Sequence, residues 1–156
     1  MNPNLIYKKI NALFPFGIVY SEISMGSEGF GAPTFRQLPL RFGADPSDLP
    51  EDTPYIVCAV SLQAMPDLET NHTAEATIEF SIVIPILENT DWAYVETAFD
   101  EILSTLYVDM RSDKLNILAP NVPVRFYSVH PDNVPVLEHD EFRITKSITF
   151  KASVQF

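Results

Sequence analysis

The clearest hydrophobic pattern in the chain runs from Ala74 to Tyr107. Its first part alternates apolar and polar residues, and this period of two predicts a half-buried β-strand. Pro85 cannot donate a ladder hydrogen bond, so this end of the strand is expected at a sheet edge or outside the sheet. The apolar side of the strand consists of Ala76, Ile78, Phe80, Ile82, Ile84 and Ile86.

The pattern then changes to the period of an α-helix. Apolar residues recur at i, i+3 and i+4 spacing, which places them on one stripe of a helix. Asn89 or Thr90 can cap the first turn, where Asp91 also suits the positive end of the helix dipole. We expect this stripe to pack on the apolar face of the preceding strand and to form the core. Its members are Trp92, Val95, Phe99, Ile102, Leu103 and Leu106.

Shorter patterns predict the remaining elements. Asn4 to Phe14 has helical spacing, with Lys8 and Lys9 opposite the apolar stripe, and Ile18 to Ile23 suggests a short strand. Tyr55 to Ala64 is nearly all apolar, as in a strand covered on both faces, and a turn joins it to the next strand as an antiparallel hairpin.

The C-terminal part predicts two more strands around a loop. Pro123 to His130 reads as a strand, Asn133 to Glu141 as a loop, and Phe142 to Phe156 as a long alternating strand. Lys146 interrupts the apolar face of that last strand, which we interpret as an overhang or a contact with a partner. Together the elements predict an α+β fold over residues 1–156 as a single domain. It has a mainly antiparallel sheet, two helices packed on one face, and a long irregular arm.

The arm is the stretch from Ser24 to Pro54, which has four glycines, five prolines and no sustained period. Arginine and aromatic residues are enriched in the centres of protein interfaces. We therefore interpret residues 24–54 as an arm that docks on a partner, with a loop covering its own core as the alternative. The residues that favour docking are Phe30, Phe35, Arg36, Arg41 and Phe42.

Composition excludes several classes of protein. A net charge of −11 argues against general nucleic-acid binding, and 46% hydrophobic residues argue against disorder. Neither a signal peptide nor an apolar run of about 20 residues is visible, so we expect a non-secreted chain without a membrane span. The lone Cys58 lies in an apolar run, where an inert core thiol is more common than a nucleophile.

One group of residues has metal-ligand chemistry. Histidine and carboxylate side chains cluster near Pro131, and a divalent cation accepts such ligands. Their spacing matches no standard site, and the prolines fit a plain solvated loop. We expect no catalytic residue, no metal and no cofactor, and hence no enzyme. The cluster comprises His130, Asp132, His139, Asp140 and Glu141.

Two segments carry a resemblance to a known family. ATIEFSIVIPILENTDWAYVETAFDEILSTLY and EFRITKSITFKASVQF resemble the strand–helix unit and the final strand of the tail terminator proteins of tailed bacteriophages. The N-terminal helix and the strand near Pro54-Tyr55 are similar as well. The resemblance covers Tyr55 to Phe156 and the first helix. The stretch from Ser24 to Pro54 is longer than in that family.

The resemblance implies a structural virion protein of the tail or neck, assembled in the cytoplasm of a bacterial host. Such proteins form hexameric rings that end polymerisation of the tail tube protein and join the tail to the head connector. DNA passes through the lumen without specific binding. We expect subunit contacts at the arm residues named above and on the polar face of the last strand, at Arg143 and Lys151.

Two alternatives remain at the level of sequence. The chain could be another ring-forming protein of a phage neck, tube or baseplate, because these share similar α+β cores. It could also be a small metal-dependent hydrolase that uses the loops from His130 to Glu141.

Overall fold

The computed structural model describes residues 2–22, 25–26, 29–30, 34–43, 53–65, 72–86 and 92–156, without the side chains of residues 21–36 and 94. Three helices lie in these ranges: α1 (Pro3–Leu13), α2 (Trp92–Met110) and α3 (Lys114–Ile117). The strands are β1 (Ile18–Glu22), β2 (Met25–Gly26), β3 (Gly29–Phe30), β4 (Thr34–Leu38), β5 (Leu40–Phe42), β6 (Tyr55–Ala64), β7 (Thr73–Pro85), β8 (Arg125–Pro131), β9 (Val136–His139) and β10 (Arg143–Gln155).

A six-stranded sheet organises these elements. Its strand order is β5-β6-β7-β10-β8, and β9 also pairs with β10. All of its pairings are antiparallel except that of β5 with β6. The α+β fold with a mainly antiparallel sheet is therefore confirmed, and so is the hairpin of β6 and β7. The third helix, α3, was not expected.

The longest ladder joins β7 to β10 along the whole length of both strands. It runs from the Pro85–Arg143 pair to the Thr73–Gln155 pair, and β8 and β9 share the other side of β10. Within the described part of the chain, the last strand is therefore paired on both sides inside its own sheet. Pro85 lies beyond Val83, the last β7 residue that pairs with β6, so among the described strands only β10 flanks it.

One face of this sheet forms the core. The even-numbered residues of β7 and β10 point to it, and Phe80 and Phe150 meet there edge-to-face with ring centres 6.0 Å apart. The stripe of α2 covers them, as the sequence predicts for the strand–helix unit. The buried stripe residues are Val95, Ala98, Phe99, Ile102, Leu103, Leu106 and Met110.

The prediction of an irregular arm was wrong for those parts of residues 24–54 that form strands. β4 pairs with β1 as a two-stranded ribbon, and β5 joins the main sheet. The ribbon contributes to the core because Ile18 and Leu38, which are paired, are both buried. Gly17 has a φ of 83°, and a Cβ there would collide with the Leu38 carbonyl oxygen, so the turn before β1 requires glycine.

Two lysines depart from their expected positions. Lys9 is 3% exposed rather than solvated, and its Nζ lies 3.5 Å from the carbonyl oxygen of Asn116, because α3 packs against α1. Lys146 lies on the helix-covered face, with its Nζ 5.7 Å from the centre of the Phe99 ring. A cation over an aromatic ring is attracted by the ring's quadrupole, so this lysine has a partner inside its own chain.

Two other expectations were also wrong. Trp92 was expected in the core, but it is 54% exposed at the start of α2. The loop expected from Asn133 to Glu141 contains β9, which pairs with β10 from Ser147–Val136 to Ile144–His139. A four-residue strand that directly follows a proline carries too short a pattern for periodicity to reveal.

Phe80→Ala tests the central packing. Removing a fully buried phenylalanine that contacts Phe150 is expected to lower the free energy of unfolding by about 3–5 kcal/mol. Urea denaturation measures this loss. Phe16→Ala is the matched control, because Phe16 is 80% exposed and its replacement should change stability by no more than about 0.5 kcal/mol. Equal losses in the two variants would contradict the assignment of the core.

Lys9→Met tests the buried ammonium group. Burial lowers the pKa of Lys9 from its ordinary value of 10.5. Between the folded pKa and 10.5 the unfolded chain binds more protons, so this lysine makes stability rise with pH in that window. The unfolding free energy of the wild type minus that of Lys9→Met should therefore increase as the pH rises toward 10.5. Lys8→Met, at an exposed position, controls for the loss of one charge, and a flat difference for Lys9→Met would refute the expectation.

Candidate functional site

The face of the sheet opposite the helices is polar. Odd-numbered residues of β7 and β10 point to it, and most of them are serine, threonine, glutamate, lysine or arginine. Ser81 and Ser147 hydroxyls lie 3.1 Å apart, and the Lys151 ammonium lies 3.3 Å from the Glu75 carboxylate. A partner that docks here must therefore match hydrogen-bonding groups rather than an apolar patch.

A groove of about 500 Å³ crosses this face beneath the β8–β9 connection. One side of it is fixed by Arg143, whose Nη1 donates a hydrogen bond of 3.2 Å to the Tyr55 hydroxyl. Its mixture of hydroxyl, carboxylate and guanidinium groups suits a polar chain segment. The groove is lined by Tyr55, Glu79, Ser81, Val83, Asn133, Val134, Val136, Glu138, Asp140, Arg143, Thr145, Ser147 and Thr149.

The edge of the sheet beside this groove exposes apolar side chains. Val134 is 84% exposed, Leu137 58% and Phe142 69%, and Val136 is also largely exposed. Isolated exposed apolar residues are common, but four within nine positions of one edge indicate a contact surface. This surface was not expected from the sequence, because Asn133 to Glu141 reads as a loop. The recurrence of valine on both sides of Pro135 was the available signal.

A turn after β9 holds Phe142 outward. The Asp140 carboxylate accepts hydrogen bonds from the backbone N–H groups of Phe142, at 2.7 Å, and Arg143, at 2.8 Å. These two bonds stabilise the ionised carboxylate and therefore lower the pKa of Asp140. A residue that looked like a metal ligand thus has a structural role.

The opposite edge of the sheet is β5, which carries two of the residues expected at an interface. Arg41 is exposed, whereas Phe42 is half-buried with its ring centre 5.3 Å from that of Tyr7. Phe30 and Phe35 lie in β3 and β4, and Arg36 also lies in β4. The side chains of these three residues are outside the described part of the chain.

The two cations expected on the last strand have partners inside the chain. Arg143 contacts Tyr55, and Lys151 contacts Glu75. β6 and β7 lie between them and the residues Arg41 and Phe42 on β5. Their role in subunit contacts stays a prediction.

The described residues contain no cluster of side chains that matches the metal-binding alternative. Among the described residues, no group of three or more His, Cys, Asp and Glu side chains is placed to hold a metal ion. Cys58 is buried in β6, and burial raises the pKa of its thiol, which disfavours the reactive thiolate. No helix within the described ranges is long and apolar enough to cross a membrane.

No protein-family model matches the chain, and no curated protein matches it.

Thiol labelling tests the burial of Cys58. At about pH 8 an exposed thiol is partly ionised and reacts quickly, whereas Cys58 should react only when the chain opens. A disulfide reagent should label Cys58 on the order of a hundredfold or more slowly than it labels the cysteine of Ser61→Cys in a Cys58→Ala background. Ser61 is exposed on the same strand, which makes it a matched control. Equal rates in native buffer would refute a buried thiol.

Proposed function

We propose that this chain is a structural protein of a tailed-phage virion. In this proposal it forms a ring, a hexamer by its resemblance to tail terminators, that caps the head-proximal end of the tail tube. The ring ends polymerisation of the tube protein and joins the tail to the head connector. The observation that carries the proposal is the pair of unlike edges of one sheet, β5 with an exposed arginine and β9 with exposed apolar and acidic residues.

Unlike edges support a ring because of symmetry. A contact between two different surfaces of the same chain repeats from copy to copy and closes when the rotation per copy divides a full turn. Strand edges that lack a partner are ready sites for pairing with another chain. β5 and β9 lie on opposite sides of the sheet, so one copy can contact two neighbours at once.

Charge supports the part of the proposal that concerns DNA. The chain has a net charge of −11, and its polar sheet face carries Glu75 in addition to the groove carboxylates of Glu79, Glu138 and Asp140. An acidic wall repels phosphate groups, so DNA can pass through a ring of such subunits without binding. Neither a membrane nor a cofactor has a role in this proposal.

Another ring protein of the neck, tube or baseplate remains the alternative. The same two edges would serve such a protein, because they determine ring closure and not the identity of the neighbouring ring. The ability to stop growth of the tail tube separates the two functions. The hydrolase alternative receives no support from the described residues, which contain no candidate metal group.

The proposed function predicts a discrete assembly in solution. Light scattering over a salt series should give an assembly with a mass near six times that of the 17.6 kDa chain. If the chain alone stays monomeric, the ring should form when tail tubes of the same phage are added. Electron microscopy should then show rings on one end of each tube and no further tube growth. An unrelated acidic protein of similar size is the control. Absence of the chain from tube ends would contradict the terminator function, and rings that join tubes without stopping growth would favour the alternative.

A further inference from the structure

The outward hydrogen-bonding groups of β9 follow from its pairing with β10. The N–H of Asp140 donates to the carbonyl of Arg143 at 3.0 Å, so Asp140 faces β10. Backbone groups of an antiparallel strand face its partner at every second residue. Glu138 and Val136 therefore also direct their backbone groups to β10, whereas those of Leu137 and His139 point away from the sheet.

β5 also directs alternate backbone groups away from its partner strand. The carbonyl of Pro39 accepts from the N–H of Ile56, and the N–H of Gly43 donates to the carbonyl of Cys58, both at 2.9 Å. Pro39, Arg41 and Gly43 thus direct backbone groups to β6. Leu40 and Phe42 direct theirs outward, and within the described part of the chain no strand pairs with that side.

The side-chain faces of the two edges also agree. Residues paired across a sheet share a face, and one row of pairs runs from Arg41 through Val57, Ser81 and Ser147 to Val136. Arg41 and Val136 therefore lie on the polar face, as does Glu138, two residues beyond Val136. The neighbouring positions Leu40, Phe42, Leu137 and His139 lie on the helix-covered face.

Strand direction completes the match. β5 runs parallel to β6, while β7 and β10 reverse the direction twice, so β5 and β10 run the same way. β9 runs antiparallel to β10 and hence to β5. When the sheet of one copy continues into the sheet of the next, β9 and β5 meet as an antiparallel pair of similar length.

We propose that β9 of one copy pairs with β5 of the next copy and that this pairing is the subunit contact of the ring; the inference rests on the proposed ring-forming function. The faces and the outward groups allow registers that differ by two residues, and only one of these pairs both outward residues of β9 with both outward residues of β5. Leu137 lies opposite Phe42, His139 opposite Leu40, and Glu138 opposite Arg41. The first two pairs exchange backbone hydrogen bonds, and the third is a non-hydrogen-bonded pair, in which side chains approach most closely.

Charge favours this contact over a two-fold dimer. If β9 paired with β9 through its outward residues, in the Leu137–His139 register, Glu138 would face Glu138 of the other copy. If β5 paired with β5, Arg41 would face Arg41. Like charges directly opposite one another destabilise a strand pair, whereas opposite charges stabilise it. The chain therefore disfavours symmetric pairing and favours a head-to-tail contact.

The helix-covered side of the contact is apolar. Leu137 is 58% exposed in the isolated chain, and the pairing brings it against Phe42 and beside Tyr7, whose ring already contacts Phe42. Burial of this leucine excludes water from one side of the new strand pair. The exposed apolar side chain of Leu137 on β9 is thus buried against the neighbouring copy.

Charge reversal on each edge tests the pairing. Arg41→Glu alone and Glu138→Arg alone place like charges at every contact, so each should raise the protein concentration for half-assembly by roughly tenfold or more. Mixing the two variants should restore assembly, because in an alternating ring every contact then joins a glutamate to an arginine. The double variant Arg41→Glu, Glu138→Arg should assemble alone. Light scattering and native mass spectrometry measure each case.

A backbone substitution provides an independent variant. His139→Pro removes an outward N–H without removing a ladder bond to β10, and His139→Ala keeps that N–H as the matched control. We expect the proline variant to weaken assembly by roughly tenfold relative to the alanine variant, with circular dichroism confirming that both are folded.

The outcomes separate this inference from the proposed function. Suppose that the wild type forms a ring. If both charge-reversal variants form it equally well, or if mixing them fails to restore assembly, the β5–β9 contact is overturned and the ring function is left standing. A wild-type chain that stays monomeric even with tail tubes would overturn both. Restoration by mixing, with loss of assembly in His139→Pro, would establish the contact.

Discussion

The ladder between β7 and β10 is the interaction on which the rest of the structure depends. Each strand has 13 residues, and all of them pair, so the two strands form the continuous centre of the sheet. Most of their even-numbered side chains are buried under the helices, whereas most of the odd-numbered ones are polar. Because successive side chains alternate between faces, a slip of one residue would exchange the two sets. The hydrophobic core thus fixes the register, and the register in turn positions the groove and both sheet edges.

The parts that could be predicted from sequence are those with a long, regular period. β6, β7 and α2 were visible because their apolar residues repeat over 10 to 19 positions. β4, β5 and β9 were missed because three to five residues flanked by glycine or proline carry no period of their own. Burial of Lys9 depends on α3, a four-residue helix without a recognisable stripe. Such elements owe their structure to distant partners that one sequence does not reveal.

The candidate surfaces could likewise be predicted only in part from the sequence. Arg41 could be singled out as an unusual cation in an acidic chain, and it is indeed exposed on β5. Its relation to Glu138 depends on four strand pairings across the sheet, which no local pattern contains. Arg143 and Lys151 were also recognisable as cations on the polar face, but their contacts with Tyr55 and Glu75 became visible only with the register of the strands.

The edge formed by β8 and β9 is interrupted, and the interruption limits its ability to pair with other chains. Both strands pair with β10, yet the chain between Pro131 and Pro135 leaves the ladder apart from the bond between Asp132 and Thr149. Each proline also removes a backbone donor. Long, uninterrupted edges recruit other chains indiscriminately and lead to aggregation, which prolines and short strands suppress. The interruption therefore leaves a docking length of only four residues on β9, long enough for a specific neighbour and too short to seed an amyloid-like sheet at the high protein concentrations of a crowded cell.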